Sequence, residues 1–347
     1  MDSSAPTAPP STAPPTPAPR ITGLEGAYEV IQRLRKRLQE RVIGRDGVID
    51  LVILALIADG HVLLEDFPGS GKTTLAKALG EAIVDDLPQD EIANIRRVQF
   101  TPDLLPSDVT GTTVFDPNTA RFHFRPGPIF AHVLLADEIN RTSPKVQSAL
   151  LEAMAEKQTT VDNHTYRLDD LFFVIATQNP LDLAGTFPLP AAQLDRFLFK
   201  IRMTHISRDS ELELLNNLKR VRTGDGATAA PVTRTEILDV RRLLESSIYV
   251  APAVKEALVD IAAATRASDR VLQGLSTRSL VLMLPALQAR ALSQRRAYVN
   301  AEDVEALAFY VFGHRLELAP GAGRSEEVIA ACCKQSLERL AKSTLRR

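Results

Sequence analysis

Residues 66–74 read Asp66-Phe67-Pro68-Gly69-Ser70-Gly71-Lys72-Thr73-Thr74, and their types suit the holding of a polyphosphate. The run follows a β-rich stretch, His61–Glu65, and leads into a helical pattern at Leu75–Leu79. Gly69 and Gly71 let the main chain curl so that successive N–H groups face an anion. The helix that starts near Lys72 adds the positive end of its dipole. Pro68, Gly69, Ser70, Gly71, Lys72, Thr73 and Thr74 are therefore the expected nucleotide cradle. In this reading Lys72 reaches the β- and γ-phosphates and the Thr73 hydroxyl ligates Mg²⁺. The strict phosphate-loop pattern wants a glycine six residues before the lysine, where this chain has Asp66. The competing reading is a glycine-rich turn that binds nothing.

Three further groups could complete the chemistry. Val133-Leu134-Leu135-Ala136 is an uninterrupted apolar run that ends in Asp137-Glu138. Ligands of open α/β sheets sit beyond the carboxyl ends of the strands. Asp137 is thus expected to hold Mg²⁺ through its water shell, and Glu138 to polarise the attacking water. Without the upstream loop the pair would be two solvated charges opening a loop. Leu171–Ala176 leads to Thr177-Gln178-Asn179-Pro180. Asn179 could hold the lytic water and sense the γ-phosphate, or Asn-Pro could simply make a turn. Arg196, at the mouth of the run Phe197–Ile201, cannot easily reach its own γ-phosphate but could reach a neighbour's. The alternative is a surface contact with Asp195, worth under about 1 kcal/mol.

The elements that must position these groups alternate. Five β-rich runs (His61–Glu65, Arg97–Phe100, Val133–Asp137, Leu171–Ala176 and Phe197–Ile201) are separated by helical patterns. Crossover helices imply an α/β fold with a largely parallel, doubly wound sheet, whose strands are buried on both faces. This unit spans residues 21–222. Residues 223–232 read as a linker, and residues 233–347 as an all-α domain with helical patterns beginning at Thr235–Ser246 and Ala253–Ser268. Ser143-Pro144 reads as a helix start, N-cap then Pro at N1, and Asn300 as another N-cap. Residues 1–20 are a Pro-rich tract that cannot build a core, so a disordered tail is expected, with a PxxP match at Pro6–Pro9.

The 347 residues suffice for two domains. Forty-one basic against forty-three acidic side chains give a net charge of −2, which disfavours nucleic acid as an obligatory partner. Cys332 and Cys333 are adjacent and are the only cysteines; neither a disulfide nor a structural zinc site follows, and a reducing compartment fits best. Apolar runs are too short to span a bilayer and the amino terminus lacks an apolar signal core, so a cytoplasmic protein, not an integral membrane one, is expected. The six histidines show no metal-ligand spacing, and His61 and His132 open buried strands. No guanine-reading NKxD segment is present.

With these residues in view, the chain resembles the MoxR family of AAA+ ATPases over everything beyond the tail. The resemblance rests on Val42-Ile43-Gly44, LLEDFPGSGKT at 63–73, QFTPDLLPSDVTG at 99–111, the block 124–154, ATQNP at 176–180 and LPAAQLDRF at 189–197. It implies that Ile43 and Gly44 line the adenine pocket, that Asn179 is the sensor-1 residue and that Arg196 is the arginine finger. Arg278, in Gly274–Ser279, matches the sensor-2 arginine, although Thr277 stands where the motif usually has Pro. Pro285 lies in the helical pattern that follows. The family's β-hairpin insert is matched by Thr113–Phe124 with a turn at Asp116–Thr119, and a second hairpin is expected around Thr159–Tyr166. Such hairpins face the ring pore or a partner. Arg141 is a further candidate for contact with a neighbour's nucleotide. The implied function is a ring motor, most often a hexamer, that hydrolyses ATP with Mg²⁺ and remodels a client protein. It often works with a von Willebrand factor A-domain protein. The alternatives are a nucleotide-gated scaffold with little turnover, which the intact Glu138 opposes, and a DNA-acting AAA+ motor, for which the chain carries no DNA-binding module and no GAFTGA-like loop.

Overall fold

The computed structural model describes residues 20–65, 70–86, 92–180, 185–218 and 228–344. Strands β1 (Val62–Glu65), β2 (Ile83–Val84), β3 (Ala93–Gln99), β4 (Gly111–Asp116) and β5 (Arg121–Pro126) are followed by β6 (Ala131–Asp137). After them come β7 (Gln158–Val161), β8 (His164–Arg167), β9 (Phe173–Gln178) and β10 (Phe199–Arg202). The helices of this part are α1 (Leu24–Arg41), α2 (Asp46–Ile57), α3 (Lys72–Ala82), α4 (Pro106–Thr110), α5 (Pro144–Glu156), α6 (Ala191–Leu194) and α7 (Arg208–Asn216).

Five strands form one sheet in the order β10–β1–β9–β6–β3, every pair parallel. Alternation along each strand splits the core in two. Val62, Leu64, Val133 and Leu135 pack with α1, α2 and α3, whereas Leu63, Leu134 and Val174 pack with α5 on the other face. All seven residues of β6 are buried, as an apolar run ending in acids foretells for a central parallel strand. His61 is buried just before β1. Its Nδ1 accepts from Val174 N at 3.1 Å, so its Nε2 carries the proton that meets Met154 O at 3.2 Å. Burial pushes its pKa down to about 4, and the ring is a neutral structural strut.

The strand boundaries differ from expectation where polarity hides them. β3 begins at Ala93, not Arg97, because it is the sheet's edge and alternates Ile95 and Val98 with arginines and Gln99. β9 begins at Phe173, since Leu171 and Phe172 belong to a turn whose amides are held by Asp169. Both hairpins are present: β4 pairs with β5, and β7 with β8. They stand side by side through Phe124 and Tyr166, whose rings stack with centroids 3.8 Å apart.

Beyond β11 (Val232–Thr233) the chain is mainly helical: α8 (Arg234–Ser247), α9 (Pro252–Ala267), α10 (Thr277–Ser293), α11 (Ala301–Phe312) and α12 (Ser325–Thr344). Asn300 caps α11 in a capping box with Asp303, and Pro285 lies inside α10. Two small strand pairs modify the all-α expectation. β11 pairs with β2, and β12 (Val271–Gln273) pairs with β13 (Glu317–Leu318). These strands of two or three residues are too short to show a period. Ile237, Val240 and Leu244 of α8 join the same hydrophobic cluster as Leu34 of α1 and Val52 of α2, so the helical part is seated firmly on the sheet unit. Residues 223–227, half of the expected linker, lie outside the described residues. Cys332 and Cys333 are free thiols. Among the described residues no helix is long and apolar enough to cross a membrane.

Candidate nucleotide site

The carboxyl ends of β1, β6 and β9 bring most of the expected residues to one edge of the sheet. Pro68 and Gly69 lie outside the described residues. Ser70 and Gly71 follow, and Lys72, Thr73 and Thr74 open α3. Gly71 is the N-cap, with φ +94°, a left-handed conformation that costs a side-chain-bearing residue about 1–2 kcal/mol. The turn thus needs glycine, and it leaves the first amides of α3 free of intrahelical partners and pointing out of the helix start.

Ile43 and Gly44 sit between α1 and α2. Their neighbour Arg45 is buried, and its guanidinium donates to Ser70 O at 3.2 Å and to Thr204 O. One side chain therefore ties the 42–45 turn to the phosphate loop and to the stretch after β10. Gly44 has φ +72°, and a Cβ there would lie 2.6 Å from Ser210 Cβ on α7. Ile43 and Gly44 thus belong to the turn that Arg45 ties to Ser70.

Asp137 ends β6 with 6 % of its surface exposed. Its Oδ1 accepts from Thr177 Oγ1 at 2.7 Å and its Oδ2 from Arg97 Nη2 at 2.8 Å. Glu138 adopts φ +57°, an uncommon state for a residue with a side chain and one that concentrates at functional sites. Its amide donates to Thr177 Oγ1 at 2.8 Å. Its carboxylate is met by Gln99 Nε2 at 2.8 Å and Arg141 Nε at 3.1 Å. Thr177 thus locks both acids with one buried hydroxyl, donating to one and accepting from the other. Asn179 lies just past β9, with its carbonyl 3.5 Å from Asn140 Nδ2.

Arg97, Gln99 and Thr177 were not singled out from the sequence. The only signal for Thr177 is that it is the first hydroxyl after the apolar run 171–176. Replacing it with Val should lower turnover about tenfold or more, with ATP affinity changed less than about threefold. The change strands the Glu138 amide, at a cost of about 1–3 kcal/mol, and unties Asp137. Steady-state kinetics beside a nucleotide-binding titration measures both numbers, and unchanged turnover would remove Thr177 from the site.

Arg196 and Arg278 are placed elsewhere. Leu198 N donates to His61 O at 2.8 Å, and Phe199 is in register with Val62, so residues 195–198 lie at the amino end of β10. The phosphate loop leaves from the carboxyl end of β1, roughly 13 Å away for a strand of this length. Arg278 Nε lies 3.2 Å from Asp195 Oδ2, and Arg315 Nε lies 2.7 Å from Asp195 Oδ1. Arg278 therefore stands with the Arg196 segment and not with Lys72. Arg315, which no motif signalled, is buried. Burial pushes its pKa down, and Asp195 opposes that shift.

Residues 61–199 match the family model described as ATPase family associated with various cellular activities (AAA), and residues 263–331 match the AAA lid domain. The chain is 34% identical over 310 residues to Chaperone MoxR1 of Mycobacterium tuberculosis, covering 85% of this chain and 78% of that one. It is 43% identical over 298 residues to Bacillus subtilis YeaC, a protein of unassigned role, covering 86% and 90%. A crystal structure from Cytophaga hutchinsonii, provisionally named an ATPase, superposes with a TM-score of 0.79 at 31% identity, covering 90% of this chain and 95% of that one.

Proposed function

The chain belongs to the MoxR family of AAA ATPases, and from that premise we propose that it is a ring-forming motor that hydrolyses ATP to remodel a client protein. The observation that carries this reading is the separation of the site into two halves. Lys72, Thr73, Asp137, Glu138 and Asn179 gather at the carboxyl ends of the strands, while Arg196 and Arg278 stand at the amino end of β10. One protomer's arginines then serve the next protomer's nucleotide, and a closed ring, a hexamer in this proposal, supplies every site with both halves.

The chain's residues fit ATP with Mg²⁺. The Thr73 hydroxyl and the Asp137 carboxylate are hard oxygen donors of the kind this metal takes together with phosphate oxygens and water, and α3, which carries Thr73, packs against β6. When bound, the metal would draw negative charge from the β- and γ-phosphates. Main-chain amides from Ser70 onward and Lys72 hold the phosphates. Glu138 takes the proton of the attacking water, Asn179 orients that water, and the neighbour's Arg196 and Arg278 offset charge on the transferring group.

The client is met, in this proposal, by the paired hairpins. At their free end Phe115 and Phe122 are 48% and 72% exposed, with ring centroids 5.1 Å apart, an apolar pair that the other described residues leave largely uncovered. A von Willebrand factor A-domain partner is proposed on family grounds, and a cytoplasmic location suits the two free thiols. Sedimentation of the Glu138→Gln variant with ATP and Mg²⁺ tests the assembly. A ring of six is expected, and a monomer at every concentration and nucleotide state would contradict it.

A further inference from the structure

Arg315 lies beyond α11 in the lid and is 7 % exposed. Its guanidinium donates to Asp195 Oδ1 at 2.7 Å, to Asp195 O at 3.1 Å, to Phe197 O at 2.6 Å and to Leu198 O at 3.3 Å. It also meets Val311 O in the last turn of α11. The adjacent His314 Nε2 lies 3.0 Å from Phe197 O, and since a carbonyl can only accept, that nitrogen carries the proton. Arg278, also of the lid, closes on the other carboxylate oxygen of Asp195.

Every one of these contacts except Val311 falls on residues 195, 197 and 198, which flank Arg196 on both sides. The segment needs such help. The helix before it, α6, has four residues, too few to hold its own geometry in water. A planar fork of five N–H donors suits such fixing, because it is rigid and loses little freedom per bond formed. A lysine at the same place offers one mobile point charge.

We infer that Arg315 is a positioning residue: by clamping residues 195–198 it aims Arg196 at the nucleotide of the adjoining protomer, so the lid of one protomer is a working part of the next protomer's catalytic site. The inference rests on the shared-site reading above.

The test uses the full chain in two mixtures. Arg315→Lys is mixed with Glu138→Gln, and Arg196→Ala with Glu138→Gln as the control. Alone, Arg315→Lys should bind ATP within about twofold of wild type and lose about 10- to 100-fold in kcat with little change in KM, the loss expected of a misplaced catalytic group. Its turnover should recover in the mixture, because its own acids remain intact and the Glu138→Gln protomers supply well-held fingers. Recovery in both mixtures supports the inference. Recovery in the control alone overturns it and leaves the ring standing. Recovery in neither overturns both. Asp195→Asn, a near-isosteric change from the other side of the clamp, carries the same readouts should Arg315→Lys melt early, and wild-type turnover by a folded Asp195→Asn would also overturn the inference.

Discussion

The Glu138→Gln variant is expected to bind ATP as wild type does and to hydrolyse it about 10²- to 10⁴-fold more slowly. That range is what a positioned general base contributes. The amide keeps the shape of the carboxylate and leaves the main-chain bond from residue 138 to Thr177 Oγ1 in place, so the left-handed turn after β6 survives. What it loses is the ability to take a proton from water. The neighbours Gln99 and Arg141 both donate to this carboxylate, and neither can replace it as an acceptor of that proton. Single-turnover hydrolysis beside a nucleotide-binding titration separates the two effects. Full turnover by the variant would remove Glu138 from the role of base.

The second large effect belongs to Arg196→Ala. Loss of an arginine finger costs about 10³–10⁵ in rate where such fingers act, and binding should be nearly unchanged because the finger meets charge that grows on the transferring phosphoryl group only in the transition state. The variant should behave unlike Glu138→Gln in one respect. Mixed rings of the two should regain hydrolysis, since an Arg196→Ala protomer keeps its acids and a Glu138→Gln protomer keeps its finger. A finger acting on its own nucleotide predicts no such recovery at any ratio.

Much of this site was legible from the sequence because its parts are local. The phosphate loop is nine consecutive residues, the acid pair closes one apolar run, and both hairpins carry their own turn residues. Parallel strands buried on both faces announced themselves as unbroken runs at Val133–Ala136 and Leu171–Ala176. The rest depends on which strands become neighbours. Thr177 meets Asp137 across 40 positions of sequence, Arg97 meets it across another 40, and Arg315 meets Asp195 across 120. No period or spacing in one chain encodes those encounters, since they follow from the strand order and register. Arg278 illustrates the same limit. Its motif identified the residue type, whereas the packing of α10 against α2 and α8 decided that it would stand beside Asp195. The edge strand β3 was half missed for a related reason, because a strand open on one side does not need a continuous apolar run.

The central claim is that main-chain amides from Ser70 onward, Lys72 and the acid pair at the end of β6 together hold a metal-bound triphosphate. Calorimetric titration of ATP into the folded wild-type protein, with and without Mg²⁺, tests it most directly, with Lys72→Ala as the partner measurement. The account predicts one saturable site per chain that depends on Mg²⁺ and is weakened about 100-fold in Lys72→Ala, the loss of a charged hydrogen-bonding group worth about 2–3 kcal/mol. Absence of binding to the folded wild type, or undiminished affinity in Lys72→Ala, would contradict it.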